Sequence, residues 1–379
     1  MKSILFLTAQ DVLGEIQNGG TQCAERNYKL LKAYTGEENL YVRIIWNKEQ
    51  NNSELQKAKY FKRISNNKEA LISSFFMSKT YLPSEFKKIV QDINSVNPDI
   101  LFLDSSLLGK VLRKINSNII KIVFFHNLES EYARHKVLAK GLHFLPSYIA
   151  ALYNEKCVMK YADWKICLNQ RDSVLLKHRY GKAADLLLPI CFEDRFSEKK
   201  ICCNPEEKKL LFIGSFFPPN YDGIKWFVEE VMSELKEYKL LIVGKDFELK
   251  REQLSRNNVE VIGTVKNLDS YYYRYAVMVM PILYGDGMKV KTAEAMMFGK
   301  TIFATSEALE GYEIKEIPSG VYCCNSREEF IWKIREAFSD KEIEPFNNNV
   351  RNYFLKYHSI NKQILTLNDF LDCIIRGKG

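Results

Sequence analysis

Residues 277–305 read VMVMPILYGDGMKVKTAEAMMFGKTIFAT. Four apolar residues closed by Pro281 lead into a glycine loop, and the stretch ends on a second apolar run, TIFAT. Runs that are apolar at every position belong to strands buried on both faces, the condition of a parallel sheet. The intervening VKTAEAMMFG predicts a helix from near Val290 to Gly299, a natural residue to follow a helix end. Strand, loop, helix and strand in this order form one βαβ unit.

The same alternation runs along the rest of the chain. Upstream the predicted strands are 3–8, 40–46, 99–104, 121–126, 164–169 and 186–190; downstream they are 209–214, 239–244, 259–264, 277–281, 301–305 and 321–324. Helical patterns separate most of them, so each half is expected to be a mainly parallel sheet covered by helices. A length of 379 residues also exceeds one ordinary core and favours two domains. The polar segment CFEDRFSEKKICCNPEEKK (191–209) is the natural joint. The chain thus divides into an N-terminal domain 1–190, a linker 191–208 and a C-terminal domain 209–379, whose last helix is expected to pack back on the first domain. Two doubly wound α/β domains imply a cleft at the carboxyl ends of their strands, where such folds bind ligands.

Bulk properties narrow the function class. A 46% apolar and 27% charged composition is that of a soluble globular protein, and no apolar run approaches the ~20 residues needed to span a bilayer. MKSILFLTAQ reads as a first strand and not as a signal peptide. Nine cysteines show no CxxC and no metal-type spacing with the five histidines, so they read as buried free thiols in a reducing cytosol. The net charge of +8 favours an anionic partner, but it is dispersed, which argues against nucleic acid. No strand is followed by GxGxxG, which argues against a nicotinamide cofactor.

The loop after VMVMP carries the chemistry. Gly285 and Gly287 let the backbone approach a ligand with its amides, the helix start adds unpaired N–H groups and a positive dipole end, and Lys289 and Lys291 add formal charge. Such a site suits a phosphate or diphosphate without a metal. Glu294, one turn into the helix, offers an acceptor-only group suited to a ribose diol, and Asp286 lies on the loop on the sugar side. Taken singly, Asp286 can serve a turn, Glu294 a helix start, and the lysines solvent. Their combination after a buried strand points to a nucleotide.

This segment resembles the signature of the retaining GT-B glycosyltransferases of family four. Their E-x7-E motif has its counterpart in Asp286 to Glu294, inside a G-x-G-x-x-x-K-x-x-E-A-M frame, and GKTIFATSEALEG (299–311) is similar to the family's GKPVVAT…EG. The resemblance implies a GT-B fold of two Rossmann-like domains and a metal-independent enzyme without cofactor. Such an enzyme moves a sugar, with retention, from a nucleoside-diphosphate sugar to a hydroxyl of a glycan, glycolipid or glycoprotein in bacterial surface glycan assembly. UDP or GDP is the expected carrier.

Residue by residue, the resemblance assigns Glu294 to the ribose and Asp286, one methylene shorter than the usual glutamate, to the donor sugar. It assigns Gly287, Met288 and the lysines to the distal phosphate. NGGTQCAERNYKLL (18–31) is similar to the family's glycine loop, with Gly19 and Gly20 facing the diphosphate and acceptor. FFHNLESEYARHK (124–136) is similar to its HN-x-E segment and makes His126 a donor-sugar contact near the reacting carbon. LFIGSFFPPNYDGIKWF (211–227) resembles a bacterial PN-x-D-x-x-x-W-F pattern that brings in Gly214. The base is expected near VIGTVKN (261–267), at Thr264 and Val265. Many members carry an arginine and a Lys-Gly pair where this chain has Ser215 and Asp222-Gly223; Lys289 and Lys291 are the expected substitutes. Those missing cations also sustain an alternative, an inactive GT-B accessory subunit that binds a partner glycosyltransferase; a GT-B sugar-nucleotide epimerase is a further alternative that the signature at 285–300 fits less well.

The acceptor is expected on the N-terminal domain. Segments 60–89 and 135–153 mix lysine with aromatic and aliphatic residues. They read either as a basic amphipathic surface resting on an anionic bilayer, at the inner face of the cell membrane, or as ordinary helices with a solvated basic face.

Overall fold

The structure, a computed structural model, describes residues 2–14, 19–47, 57–204, 207–285, 287–312, 316–340 and 343–377. It divides into two compact units, Met1–Pro189 with Gln363–Gly379, and Ile190–Lys362. The first is built on strands β1 (Ile4–Thr8), β2 (Leu40–Ile45), β3 (Ala58–Phe61), β4 (Ile100–Leu103), β5 (Ile120–Phe125), β6 (Trp164–Cys167) and β7 (Leu186–Leu187). They lie in the order β3-β2-β1-β4-β5-β6-β7, and every pairing is parallel. The central strand places Ile4 between Leu40 and Ile100. Its five residues are all buried, because helices cover both faces.

The second unit repeats the plan with β8 (Lys209–Ile213), β9 (Lys239–Val243), β10 (Val259–Gly263), β11 (Val277–Met280), β12 (Thr301–Ala304) and β13 (Val321–Cys323). Their order is β10-β9-β8-β11-β12-β13, again parallel throughout. Sequence order reverses beside β8 and β11, which is where open α/β sheets hold ligands. The helix predicted after the glycine loop spans Val290–Met297, and Gly299 follows with φ +59°.

Three details depart from the sequence reading. β3 was not anticipated: AKYF is a half-exposed edge strand with no continuous apolar run. β7 is only two residues long, because Pro189 has no N–H to give a ladder and the Leu188 carbonyl is taken by Arg26. Residues of the 191–208 segment are tied into the second unit, through Phe192 N–H to His358 O (3.0 Å) and Cys202 N–H to Tyr273 O (3.1 Å). The end of the last helix (Ile360–Arg376) belongs with the first unit, where Phe370 packs edge-on against Trp164 at 5.7 Å and Asp372 accepts from the Tyr34 hydroxyl. The cysteines are free, yet Cys202 and Cys373 are exposed rather than buried. Among the described residues, no helix is long and apolar enough to cross a membrane.

Candidate functional site

Because the strands of the second unit are parallel, Gly214, Thr264 and the loop after β11 all leave the same edge of one sheet. Gly287 has φ +69° and Gly285 φ +155°, a backbone that a side chain at either position would strain. The amides of Gly287 and Met288 have no acceptor among the described residues, and the helix beginning at Val290 has no side-chain cap. Donors without acceptors at a helix start are what an anionic ligand satisfies. Asp286 lies outside the described residues.

Both lysines are present at this loop but engaged. The Lys289 ammonium donates to Gly287 O (2.8 Å) and Glu307 Oε1 (2.7 Å), so it braces the loop from below. Lys291 pairs with Glu294 one turn on. Glu294 is 6% exposed; its Oε2 also accepts from the Tyr272 hydroxyl (3.4 Å) and its Oε1 lies 3.5 Å from Arg195. Arg195 is held in turn by Asp269, at 3.3 Å to both carboxylate oxygens. Arg195, Glu307 and Tyr272 were not found from the sequence: Arg195 and Tyr272 come from segments with no local signature, and Glu307 lies in the GKTIFATSEALEG stretch without being singled out there.

Thr264 is exposed and locally committed. Its hydroxyl donates to Glu248 Oε1 (2.8 Å) and accepts from the Asp246 amide (3.1 Å). Val265 beside it is half-buried. Gly214 is buried, and its amide extends the β8–β9 pairing to Val243 O. The replacement residues behave as their chemistry suggests. Ser215 is exposed and accepts from Asn220, and Asp222 accepts from the Tyr284 hydroxyl, tying the loop after β11 to the helix after β8.

In the first unit, Thr8, Asp104 and His126 stand at the ends of adjacent strands β1, β4 and β5. Asp104 accepts from Thr8 Oγ1 (2.9 Å) and from Asn27 Nδ2 (2.6 Å). His126 Nε2 lies 2.7 Å from Asp104 O and 3.3 Å from Asp104 Oδ2. The imidazole lies close enough to Cys23, in the first turns of the helix Gly19–Thr35, for each to act on the other's charge. Burial opposes its charge, but the Cys23 sulfur and the Asp104 carboxylate outweigh burial and hold His126 well above the usual histidine range. Burial pushes the nearby Glu129 carboxyl up. Gly19, exposed and uncrowded, and Gly20 open that helix; residues 15–18, just before, lie outside the described residues. Asp104 closes the predicted strand DILFLD, and its strand-end position was a signal available in the sequence.

Two cavities are lined by other residues. One of about 550 Å³ in the first unit is walled by Phe76, Tyr81, Phe86 and Val90 and flanked by Lys87, Lys110 and Lys114. Another, of about 950 Å³ in the second unit, runs along Asn258–Ile262 and Lys239 and gathers none of the candidate residues.

Comparison with known proteins fits this geometry. Structures similar over their whole length include HepE of Anabaena in complex with UDP and glucose (12% identity, 98% of this chain and 100% of that chain covered, TM-score 0.67). Sucrose-phosphate synthase of Thermosynechococcus elongatus matches with 17% identity, 99% and 100% coverage and TM-score 0.70. The lipopolysaccharide outer core galactosyltransferase WaaB in its apo form matches with 13% identity, 98% and 99% coverage and TM-score 0.67. At such identities the likeness establishes the fold, two doubly wound α/β sheets of the GT-B kind. No curated protein matches the chain in sequence. Residues 207–340, from β8 through the helix Arg327–Ser339, match the family model described as glycosyl transferases group 1.

Proposed function

We propose that the protein is a metal-independent, retaining glycosyltransferase that moves a sugar from a nucleoside-diphosphate sugar, UDP- or GDP-linked, to a hydroxyl of a glycan, glycolipid or glycoprotein. The observation that carries this reading is the element Gly285–Met297. It combines amides with no acceptor among the described residues, a helix start, two ammonium groups and the nearly buried Glu294, inside the segment that matches group 1 glycosyl transferases. Glu294 retains room for about one donor beyond its present three, and can receive the two ribose hydroxyls once the 3.5 Å Arg195 contact gives way. The leaving nucleoside diphosphate gains negative charge, and preorganised amides and ammonium groups are suited to stabilise it. Attack on the leaving-group face, with a phosphate oxygen taking the acceptor proton, needs no protein base. His126, charged and fixed by Asp104, is assigned to the donor sugar, as is Asp286. The reading is tested by incubating the protein with UDP- and GDP-sugars in EDTA and reading the anomeric configuration of the product by NMR. Retained configuration is expected; an inverted product, or activity abolished by EDTA, overturns it.

A second reading is favoured by the ion pairs of Lys289 and Lys291. With both ammonium groups neutralised by Glu307 and Glu294, a diphosphate must compete for them, as in a GT-B subunit that binds a partner glycosyltransferase and does no chemistry. Slow hydrolysis of donor without acceptor excludes this reading. Replacing both lysines by alanine is expected to weaken donor binding roughly tenfold or more; unchanged affinity removes their phosphate role.

The acceptor is assigned to the first unit, with the cavity beside Lys87, Lys110 and Lys114 as its apolar seat. Leu71, Phe75 and Leu142 are 61%, 76% and 75% exposed on the two segments read as amphipathic, which favours rest on an anionic bilayer over a merely solvated face.

A further inference from the structure

Cys23 stands apart from the other buried thiols. Burial raises Cys157, Cys167 and Cys324, whereas Cys23, also buried, is lowered: burial would raise it, but Arg26 and His126 outweigh that cost. The geometry explains the difference. Arg26, one turn along the same helix, donates from Nη2 to Cys23 Sγ at 3.1 Å, and its other amino group is anchored on the Leu188 and Pro189 carbonyls. His126 lies close enough to act on the sulfur's charge and is oriented by Asp104, itself fixed by Thr8 and Asn27. A thiol held by a guanidinium, beside an imidazole oriented by a buried carboxylate, is an activated-thiol arrangement. The charged groups facing the pair are Arg26 and Asp104, with Glu129 also acting on His126.

We propose that Cys23 is a modification site for small peroxide-class oxidants, with Arg26 holding the sulfur and His126 supplying the proton. The sulfur attacks one peroxide oxygen, forming S–O as O–O breaks. It is oxidised by two electrons to a sulfenic acid while the peroxide is reduced. The departing hydroxide takes the imidazolium proton and leaves as water. The product removes the negative charge facing His126 and so changes the group assigned to the donor sugar. The reaction itself does not depend on the glycosyltransferase reading.

The test uses the full chain. Hydrogen peroxide is added at pH 7 and quenched, the protein is denatured, remaining thiols are alkylated, and each cysteine peptide is read by mass. An ordinary thiol is only a few per cent ionised at pH 7, so Cys23 is expected to react about tenfold faster than Cys157 or Cys167. His126→Gln is expected to slow Cys23 about tenfold and leave the other cysteines unchanged. Equal rates for Cys23 and Cys157 overturn the proposal, as does an unchanged Cys23 rate in a folded His126→Gln protein. Should that variant not fold, the wild-type pH profile decides. Cys23 oxidation is expected to level off at lower pH than that of the exposed Cys202 and Cys373, and a profile that climbs with theirs overturns the proposal.

Discussion

Glu294 takes contacts from Lys291, Tyr272 and Arg195, and a carboxylate has room for about four hydrogen bonds, so a diol takes the remaining place and displaces one present partner, of which Arg195 at 3.5 Å is held least closely. Glu294→Gln keeps the volume and loses the charge. If the carboxylate holds ribose, the variant loses about 1.5–3 kcal/mol of nucleotide binding, roughly 10- to 100-fold in Kd. Pyrophosphate, which has no ribose, should bind at least as well as before, because the substitution also frees Lys291 from its carboxylate partner. A thermal-shift titration separates the two, and an undiminished UDP or GDP shift would sink the ribose assignment.

At the scale of elements, one close approach shapes the sheet edge and one buried imidazole is fixed on the Ile190 carbonyl. A Cβ on Gly223 would lie 2.0 Å from the Pro281 carbonyl oxygen, so the helix Pro218–Trp226 can meet the chain leaving β11 only through glycine. Gly223→Ala is expected to cost about 1–3 kcal/mol in urea denaturation and to weaken nucleotide binding, because the same junction carries the Tyr284–Asp222 contact. An unchanged urea midpoint contradicts this packing. His358 follows the helix Asn348–Tyr357, with Nδ1 2.9 Å from Ile190 O and Nε2 without a partner among the described residues. Burial pushes it down to about 4. Above pH ~6.5 it is neutral folded or unfolded; below that, only the unfolded chain takes up the proton. Stability should therefore fall between pH ~6.5 and about 4, by up to ~3 kcal/mol. His358→Gln is expected to flatten that slope; an identical pH dependence in the variant excludes His358 as its source.

For the molecule as a whole, membrane contact turns on unpaired charge beside apolar surface. Lys87, Lys110 and Lys114 have no carboxylate partner among the described residues, and they flank an apolar cavity near exposed Leu71, Phe75 and Phe76. Flotation is expected with vesicles containing anionic lipid at low salt, and loss of flotation in 0.5 M salt or with neutral lipid, since the Debye length shrinks from ~10 Å at 0.1 M toward ~3 Å at 1 M. Protein that stays at the bottom of the gradient at low salt leaves these lysines a purely solvated role. Taken alone, the sequence determined twelve of the thirteen strands named above, their parallel sense and the loop Gly285–Lys291, because burial on both faces and helix-start chemistry are written in consecutive residues. It did not yield β3, whose half-exposed edge carries no apolar run. Nor did it yield the partners of the site residues. Arg195 reaches Glu294 across 99 positions and Asn27 reaches Asp104 across 77. Only the tertiary structure decided that Lys289 and Lys291 are already paired and that Cys23, Asp104 and His126 meet, because such contacts are set by where parallel strands end and leave no periodicity in the chain.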